Sequence, residues 1–307
     1  KPGQNIFLVN NAFIFSQSPW IAIGEKKKPI TISGNKDNFG GGFIINEAFE
    51  SSHFSNVKFS YLTGLKKEFY DIQNDTSYST TTQYVDNSKD KFHEKIKRKT
   101  EKHSTKEFNI FGAINFYKTS INLENVIFER INSEDVINII NSKFSINNIN
   151  FKENGSDSID FDFSEGKIEN VSFYDIGNDA IDFSGSIATI NNASFFNVKD
   201  KVISVGENSE VNIKNIIATE SYVGIATKDG SIVKAENITM DNVKIPFASF
   251  VKKFEYNYPK LYLKNIDVEN FEKKWLVDSN SKIFYDKLPV GTISKNIIST
   301  IYNENLN

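Results

Sequence analysis

Residues 136–245 read VINIINSKFSINNINFKENGSD (136–157), SIDFDFSEGKIENVSFYDIGND (158–179), AIDFSGSIATINNASFFNVKDK (180–201), VISVGENSEVNIKNIIATESYV (202–223) and GIATKDGSIVKAENITMDNVKI (224–245), five stretches in register at a 22-residue spacing. A looser copy, AINFYKTSINLENVIFERINSED, precedes them from Ala113. Self-similarity at this period marks a solenoid, in which each unit buries its apolar side only by stacking on its neighbours.

The columns of the repeat name the kind of solenoid. Ile114, Ile137, Ile159, Ile181, Ile203, Ile225 and Phe247 share one column, and Phe116, Ile139, Phe161, Phe183 and Val205 share another two residues on. That is strand periodicity, with the residue between each pair facing the other way. A second apolar strand follows around an asparagine in LENVIF, INNINF, IENVSF, INNASF, IKNIIA and AENITM, so Asn125, Asn148, Asn170, Asn192, Asn215, Asn237 and then Asn265 form a further column. No segment between these strands has helical periodicity, and the Leu spacing of a leucine-rich repeat is absent. The expected fold is all-β, a right-handed parallel β-helix of about 22 residues per coil, with coils about 4.8 Å apart.

Composition agrees. Of 307 residues, 39% are hydrophobic, and Phe (27) far outnumbers Trp (2) and Met (1), which predicts a core of stacked Phe and Ile. A net charge of -3, with acids and bases mixed, gives no electrostatic case for nucleic acid. The absence of Cys removes disulfides and thiolate metal sites, and no apolar run reaches the roughly 20 residues of a membrane span. The chain opens at Lys1 without Met or a signal segment, as a processed piece of a longer, multi-domain chain would.

Organisation outside the repeats is coarser. KPITISG (28–34), GGFIINEAF (41–49) and SSHFSNVKFS (51–60) alternate like strands, so the β-helix starts well before Ala113 in a single domain spanning 1–307. Residues 63–107, ending in the Lys-rich KDKFHEKIKRKTEKH, read as a polar insertion between coils with room for a short helix. Residues 271–307 read as terminal coils followed by a tail beyond Gly291 that covers the open end, where strand edges would otherwise stand unpaired. Gly40–Gly42 lacks the Lys and Ser/Thr of a phosphate loop and reads as a tight turn. The Asn column reads as a structural ladder of amide hydrogen bonds, which would leave the sequons at Asn170 and Asn237 inaccessible.

The polar cluster worth chemistry lies on and just before the first strand of adjacent coils. Asp135, Asp157, Asp179 and Lys201 share one column, and Asn138, Asp160, Asp182, Ser204 and Ala226 share another. Asp160 lies between inward Ile159 and Phe161, and Asp182 between Ile181 and Phe183, so both face out. Two carboxylates about 5 Å apart at an effective dielectric near 20 repel by roughly 3 kcal/mol, worth about two pKa units. Either one holds its proton near neutrality, as a general acid does, or a cation offsets the pair. Lys201 supplies such a charge; Ca²⁺ held by Asp157, Asp160, Asp179 and Asp182 is the alternative. A third reading is purely structural, each Asp accepting from backbone amides two residues on.

The run SEDVINI, GSDSIDFDFS, GNDAIDFSGS, VGENS, GIATKDGS and VKKFEY resembles, from about Ala113 to Pro259, the β-helix repeats of the pectin-lyase-like superfamily. More narrowly it resembles a bacterial extracellular group found in places beside a kinase-like domain related to spore-coat protein H. The resemblance implies a secreted, periplasmic or cell-surface protein acting on or binding polysaccharide. GSDSID followed by GNDAID is similar to the paired Asp motifs of polygalacturonase-type glycosidases, which implies acid and base roles for Asp157 and Asp179 with Asp160 or Asp182. The His-Gly and Arg-Ile-Lys of those families are replaced here by KDKVIS and GIATKD. Pectate-lyase chemistry implies Ca²⁺ on aspartates and an arginine base, whereas Arg98 and Arg130 both fall outside this column. A lyase or epimerase would use Lys201 or Lys228 as base and Tyr256 as acid.

The expected function is therefore a surface or secreted module binding an extended polysaccharide, with Lys252, Lys253, Glu255 and Tyr256 joining the Asp and Lys face. A polysaccharide lyase, epimerase or hydrolase using the paired Asp is the second reading, and a passive stalk the third.

Overall fold

The computed structural model describes residues 1–64, 112–294 and 297–302, together with the backbone of two strands, Lys95–Lys99 and Thr105–Asn109. The chain is a parallel β-solenoid of about ten turns whose coils are roughly 23 residues apart. The Asn column spaces the coils at 22 or 23 residues until the step from Asn237 to Asn265, which takes 28. Coiling begins at Asn5–Phe7, which pairs with Ile30–Ser33, earlier than the first strand-like segments of the sequence suggest. The expected insertion over 63–107 lies for the most part outside the described residues. Within it, Lys95–Lys99 is extended and pairs antiparallel with Thr105–Asn109, where the Lys-rich run suggested a helix.

Each coil carries a short strand and a long one. The short strands Gly112–Tyr117, Asp135–Ile140, Asp157–Asp162, Ile181–Ser184 and Lys201–Gly206 pair in parallel as one sheet. The long strands, such as Lys143–Asn154, Glu165–Ile176 and Ile187–Val198, stack in the same order and bend at their central Asn. Inward columns fill the solenoid. Phe59, Phe128, Phe151, Phe173 and Phe195 form a continuous ring stack with centroids 5.1, 4.9, 4.8 and 4.8 Å apart. Those distances match the spacing of paired strands, so each ring sits flat on the equivalent ring of the next coil. Burying one such side chain contributes about 1.5–3 kcal/mol, and the column repeats the gain at every turn.

Two side-chain ladders hold the corners. Asn125, Asn148, Asn170, Asn192, Asn215, Asn237 and Asn265 all adopt positive φ between 51° and 59°, a conformation Asn tolerates better than other non-Gly residues. Their amides hand hydrogen bonds along the axis, Asn192 donating to Asn170 at 3.2 Å and Asn237 to Asn215 at 2.9 Å. The ladder lies on the outside, and Asn170 and Asn237 are exposed, so the expectation that their sequons are inaccessible is corrected. An inner ladder of Ser142, Ser164, Ser186, Ser209 and Ser231 does the buried work: each hydroxyl accepts the backbone N–H of the equivalent residue one coil earlier. Gly42 is not a turn; at φ 104° its missing Cβ would stand 2.3 Å from the Ala113 carbonyl of the neighbouring coil.

Toward the C-terminus, Trp275–Val277 and Lys282–Tyr285 extend the two sheets, and Leu288–Val290 turns back antiparallel onto Lys282–Tyr285. Helix α1 (Ile297–Tyr302) does not cover the open end as the sequence suggested. It lies on the side of the solenoid, where Ile297 and Ile301 pack with Ala226, Ala248, Phe250 and Leu276. Ala226, Ala248 and Leu276 continue one outward column of the short strands, and the helix packs over them. Among the described residues no helix is long and apolar enough to cross a membrane.

Candidate functional site

Strand register brings the predicted acidic columns together. Asn115, Asn138, Asp160, Asp182, Ser204, Ala226 and Ala248 are successive partners on the outward face of the short strands. Two residues on, Ile140, Asp162, Ser184 and Gly206 form a parallel outward column. Asp162 was missed by the sequence reading, although the period of two that turns Asp160 outward turns Asp162 outward as well.

The column at the start of these strands is structural in its hydrogen bonding. Asp157 Oδ1 accepts the Asp179 N–H at 2.9 Å and the Asn178 side-chain amide at 2.6 Å. Asp179 Oδ1 accepts the Lys201 N–H at 2.8 Å and also meets Lys201 Nζ at 3.3 Å. Each carboxylate thus ties its coil to the next, whereas a local turn would have used amides two residues on. Lys201, 2% exposed, also pairs with Asp200 at 2.6 Å and stands 4.9 Å from the Tyr302 ring. Burial pulls its pKa down, but Asp179, Tyr302 and Asp200 together outweigh that and hold it well above the usual lysine range. Lys228 is also buried, 3.8 Å from Asp182, and despite its burial that carboxylate and Tyr302 raise its pKa. Ion pairing with these carboxylates favours the charged ammonium of both, which disfavours a role as proton acceptor. Arg130 is engaged with Glu153 at 2.8 Å.

The outward carboxyls are half-buried and crowd one another. Burial first, then Asp162, Asp135, Asp182 and Asp157, lift the Asp160 carboxyl well above the carboxylate range. Asp162 is pushed up to about 7 by burial and by Asp182 and Glu207. Asp179 rises only to about 6, because Lys201 opposes the effect of burial. Asp135 and Asp157 rise as well, each first through burial and next through the neighbouring Asp of its own column. Several of these groups therefore hold a proton near neutrality and present O–H donors. Asp160 Oδ2 accepts from Asn138 Nδ2 at 3.0 Å, while Asn138 Oδ1, Asp182 Oδ1 and Ser204 Oγ are buried with no hydrogen-bond partner in the protein.

The calcium reading does not fit this geometry. Among the described residues, no group of three or more acidic or histidine side chains converges to hold a metal ion. Asp157 and Asp179 spend an oxygen each on amides and Lys201, and Ca²⁺ needs about six to eight oxygens.

The predicted binding residues occupy the turn after Phe250. The Lys252 and Lys253 N–H groups both donate to Asp229 Oδ1, at 2.6 and 2.8 Å. Lys253 Nζ pairs with Glu207, and Tyr256 OH donates to Glu207 Oε2 at 3.2 Å. Lys252 Nζ stands 4.5 Å from the Tyr302 ring, and partial burial together with Lys228 and Lys201 lowers its pKa. Glu255 is exposed at the edge of the same turn. Glu207, which the sequence left in the VGENS turn, is the hub that joins this group to the acidic face, since it also receives a hydrogen bond from Ser184 at 3.4 Å. Cavities flank the acidic coils. One of about 850 Å³ lies on later coils between Phe254, Tyr256 and α1, and one of about 440 Å³ lies on earlier coils between Phe49, Lys118 and Phe163.

Residues 133–258 match the pectate lyase family model. The matched segment contains every acidic residue of the outward face and the Glu207 hub. Among solved structures, an alginate lyase from Paenibacillus sp. str. FPU-7 aligns at 10% identity and TM-score 0.42, over 94% of this chain and 93% of that one. The catalytic domain of a GH87 α-1,3-glucanase in complex with tetrasaccharides aligns at 10% identity and TM-score 0.44, over 92% of this chain and 62% of the domain. A polygalacturonase from Erwinia carotovora ssp. carotovora aligns at 11% identity and TM-score 0.28, over 96% and 98%. No curated protein matches the chain.

Proposed function

We propose that this chain is an exported β-helix module that binds an extended polysaccharide along the face of Asp160, Asp162 and Asp182. One observation carries the reading. Within an outward column that is apolar and helix-covered at Ala226 and Ala248, Asp160 and Asp182 are acidic, aligned on adjacent coils beside outward Asp162, and only half-buried. Sugar hydroxyls both donate and accept, and they complement a face of crowded, partly protonated carboxyls. The family match over the same coils supports a carbohydrate ligand. A passive stalk has no use for crowded half-buried carboxyls, whose mutual repulsion costs stability.

The test is binding of soluble neutral and uronic-acid polysaccharides by the whole chain and by an Asp160→Ala, Asp182→Ala double variant. Loss of affinity in the double variant supports the reading, and affinity that ignores both changes moves the site elsewhere.

A second reading, glycoside hydrolysis, is favoured by one feature: Asp162, at about 7, is placed to give up a proton near neutrality beside Asp182. Incubation with the same panel and product detection decides it, since turnover that disappears in Asp162→Ala makes the chain an enzyme.

A further inference from the structure

The corner that follows each short strand carries a residue at positive φ: Glu47 (50°), Lys118 (49°), Asn141 (49°), Phe163 (49°), Gly185 (61°), Glu207 (56°) and Asp229 (51°). Phe163 is out of place in this column. A bulky side chain is among the poorest choices for left-handed backbone, and residues held there against preference concentrate at functional sites. The ring is not compensated by burial, because it is 64% exposed. The next coil makes room for it: a Cβ at Gly185 would stand 2.6 Å from Phe163 Cδ1 and 2.7 Å from Cε1. Two positions of the repeat are thus shaped around an aromatic ring that stays largely in water. Phe163 directly follows Asp162, so the ring borders the acidic face, and it lines the cavity of about 440 Å³ together with fully exposed Phe49, Lys118 and Asn141.

Building on the polysaccharide reading, we infer that Phe163, assisted by Phe49, is a stacking platform for a pyranose ring of the bound polymer. The apolar C–H face of a sugar ring packs on an aromatic face, while hydroxyls at its edge reach polar groups at the rim, here Lys118 and Asn141. The platform lies on the coil of Asp160 and Asp162 and one coil before Asp182, so a polymer running along the solenoid axis stacks at Phe163 and hydrogen-bonds to the acids beyond. The turn that begins at Val251 lies four coils further on, roughly 19 Å at the spacing of paired strands, which spans on the order of four linked rings.

The experiment compares the unaltered chain with Phe163→Asn, Phe49→Ala and a control, Ile217→Thr, an exposed apolar residue on a different strand. Asn141 shows that Asn fits this corner at the same φ, so Phe163→Asn keeps or raises the melting temperature. Binding is measured by calorimetry with a soluble neutral β-glucan and with polygalacturonate, the two probes separating neutral from uronic rings. The expected result is a loss of about tenfold or more in affinity for whichever probe binds, in Phe163→Asn and to a lesser degree in Phe49→Ala, with Ile217→Thr unchanged. Unchanged affinity in Phe163→Asn overturns the platform, and so does a clear fall in melting temperature, which would make the ring structural. Either outcome, with the Asp160→Ala, Asp182→Ala variant still impaired, leaves the polysaccharide reading standing. Binding of neither probe by the unaltered chain overturns both.

Discussion

Replacing Asp162 by Asn isolates the electrostatic strain of the acidic face. The carboxyl has an ordinary value of 3.8 and is pushed up to about 7 in the fold by burial, Asp182 and Glu207. That rise corresponds to about 4 kcal/mol favouring the protonated form. Because the folded value lies above the unfolded one, the stabilising contribution is fully present below pH 4 and is lost as pH rises through 7. The unaltered chain therefore loses stability across this window, and the neutral isostere Asp162→Asn does not. Partial solvent access trims the difference to about 2–4 kcal/mol at pH 8. At roughly 2 °C per kcal/mol for a chain of this length, the variant should melt roughly 4–8 °C above the unaltered chain at pH 8 and level with it at pH 4. Melting curves of both proteins at half-unit pH steps measure the difference directly, since the other titrating groups are common to both. An advantage that is equal at pH 4 and pH 8, or absent at pH 8, would refute the crowding of these carboxyls.

Other outcomes follow from the same geometry. Lys201→Met strands the buried Asp179 and Asp200 carboxylates and should destabilise by about 3–5 kcal/mol; the loss should be larger at pH 8 than at pH 5, where Asp179 takes up a proton, and a pH-independent loss in denaturant titrations would argue against the ion pair. At Asn192, φ 58° and the ladder bond to Asn170 predict that Asn192→Ala costs about 1–2 kcal/mol and Asn192→Gly clearly less; the reverse order in urea midpoints would contradict the role of the backbone conformation. Deleting 295–307 uncovers Ala226, Ala248 and Leu276 and should lower the melting temperature and recruit a hydrophobic dye while the strand signal in circular dichroism persists; no gain in dye binding would mean the helix is not the cover.

How much was legible in advance varies residue by residue. Asp160 and Asp182 were placed correctly on one outward column because strand alternation and a constant coil length leave no freedom. The same logic contained Asp162. That Lys201 and Lys228 are buried against carboxylates and near Tyr302 is not legible in the repeat, because Tyr302 lies far along the chain on the non-repeating helix. Glu207 became a hub only because the turn holding Lys253 and Tyr256 swings out of the regular coil before the 28-residue step to Asn265. Alternation alone would set Phe163 on the inward side with Ile159 and Phe161; its positive φ and its exposure separate it from Phe161 and Phe183.

By itself the sequence determined the parallel β-helix, its coil length, its inward Phe and Ile columns and the acidic columns on its surface, because a repeat that stacks in register converts sequence spacing into position. It could not determine which outward groups meet water. That was decided by α1 and by the irregular turn near residue 250, neither of which repeats. The docking of α1 depends on packing against apolar outward residues such as Ala226 and Ala248, and Lys201 and Lys228 are buried there while Asp160, Asp162 and Asp182 remain only half-buried.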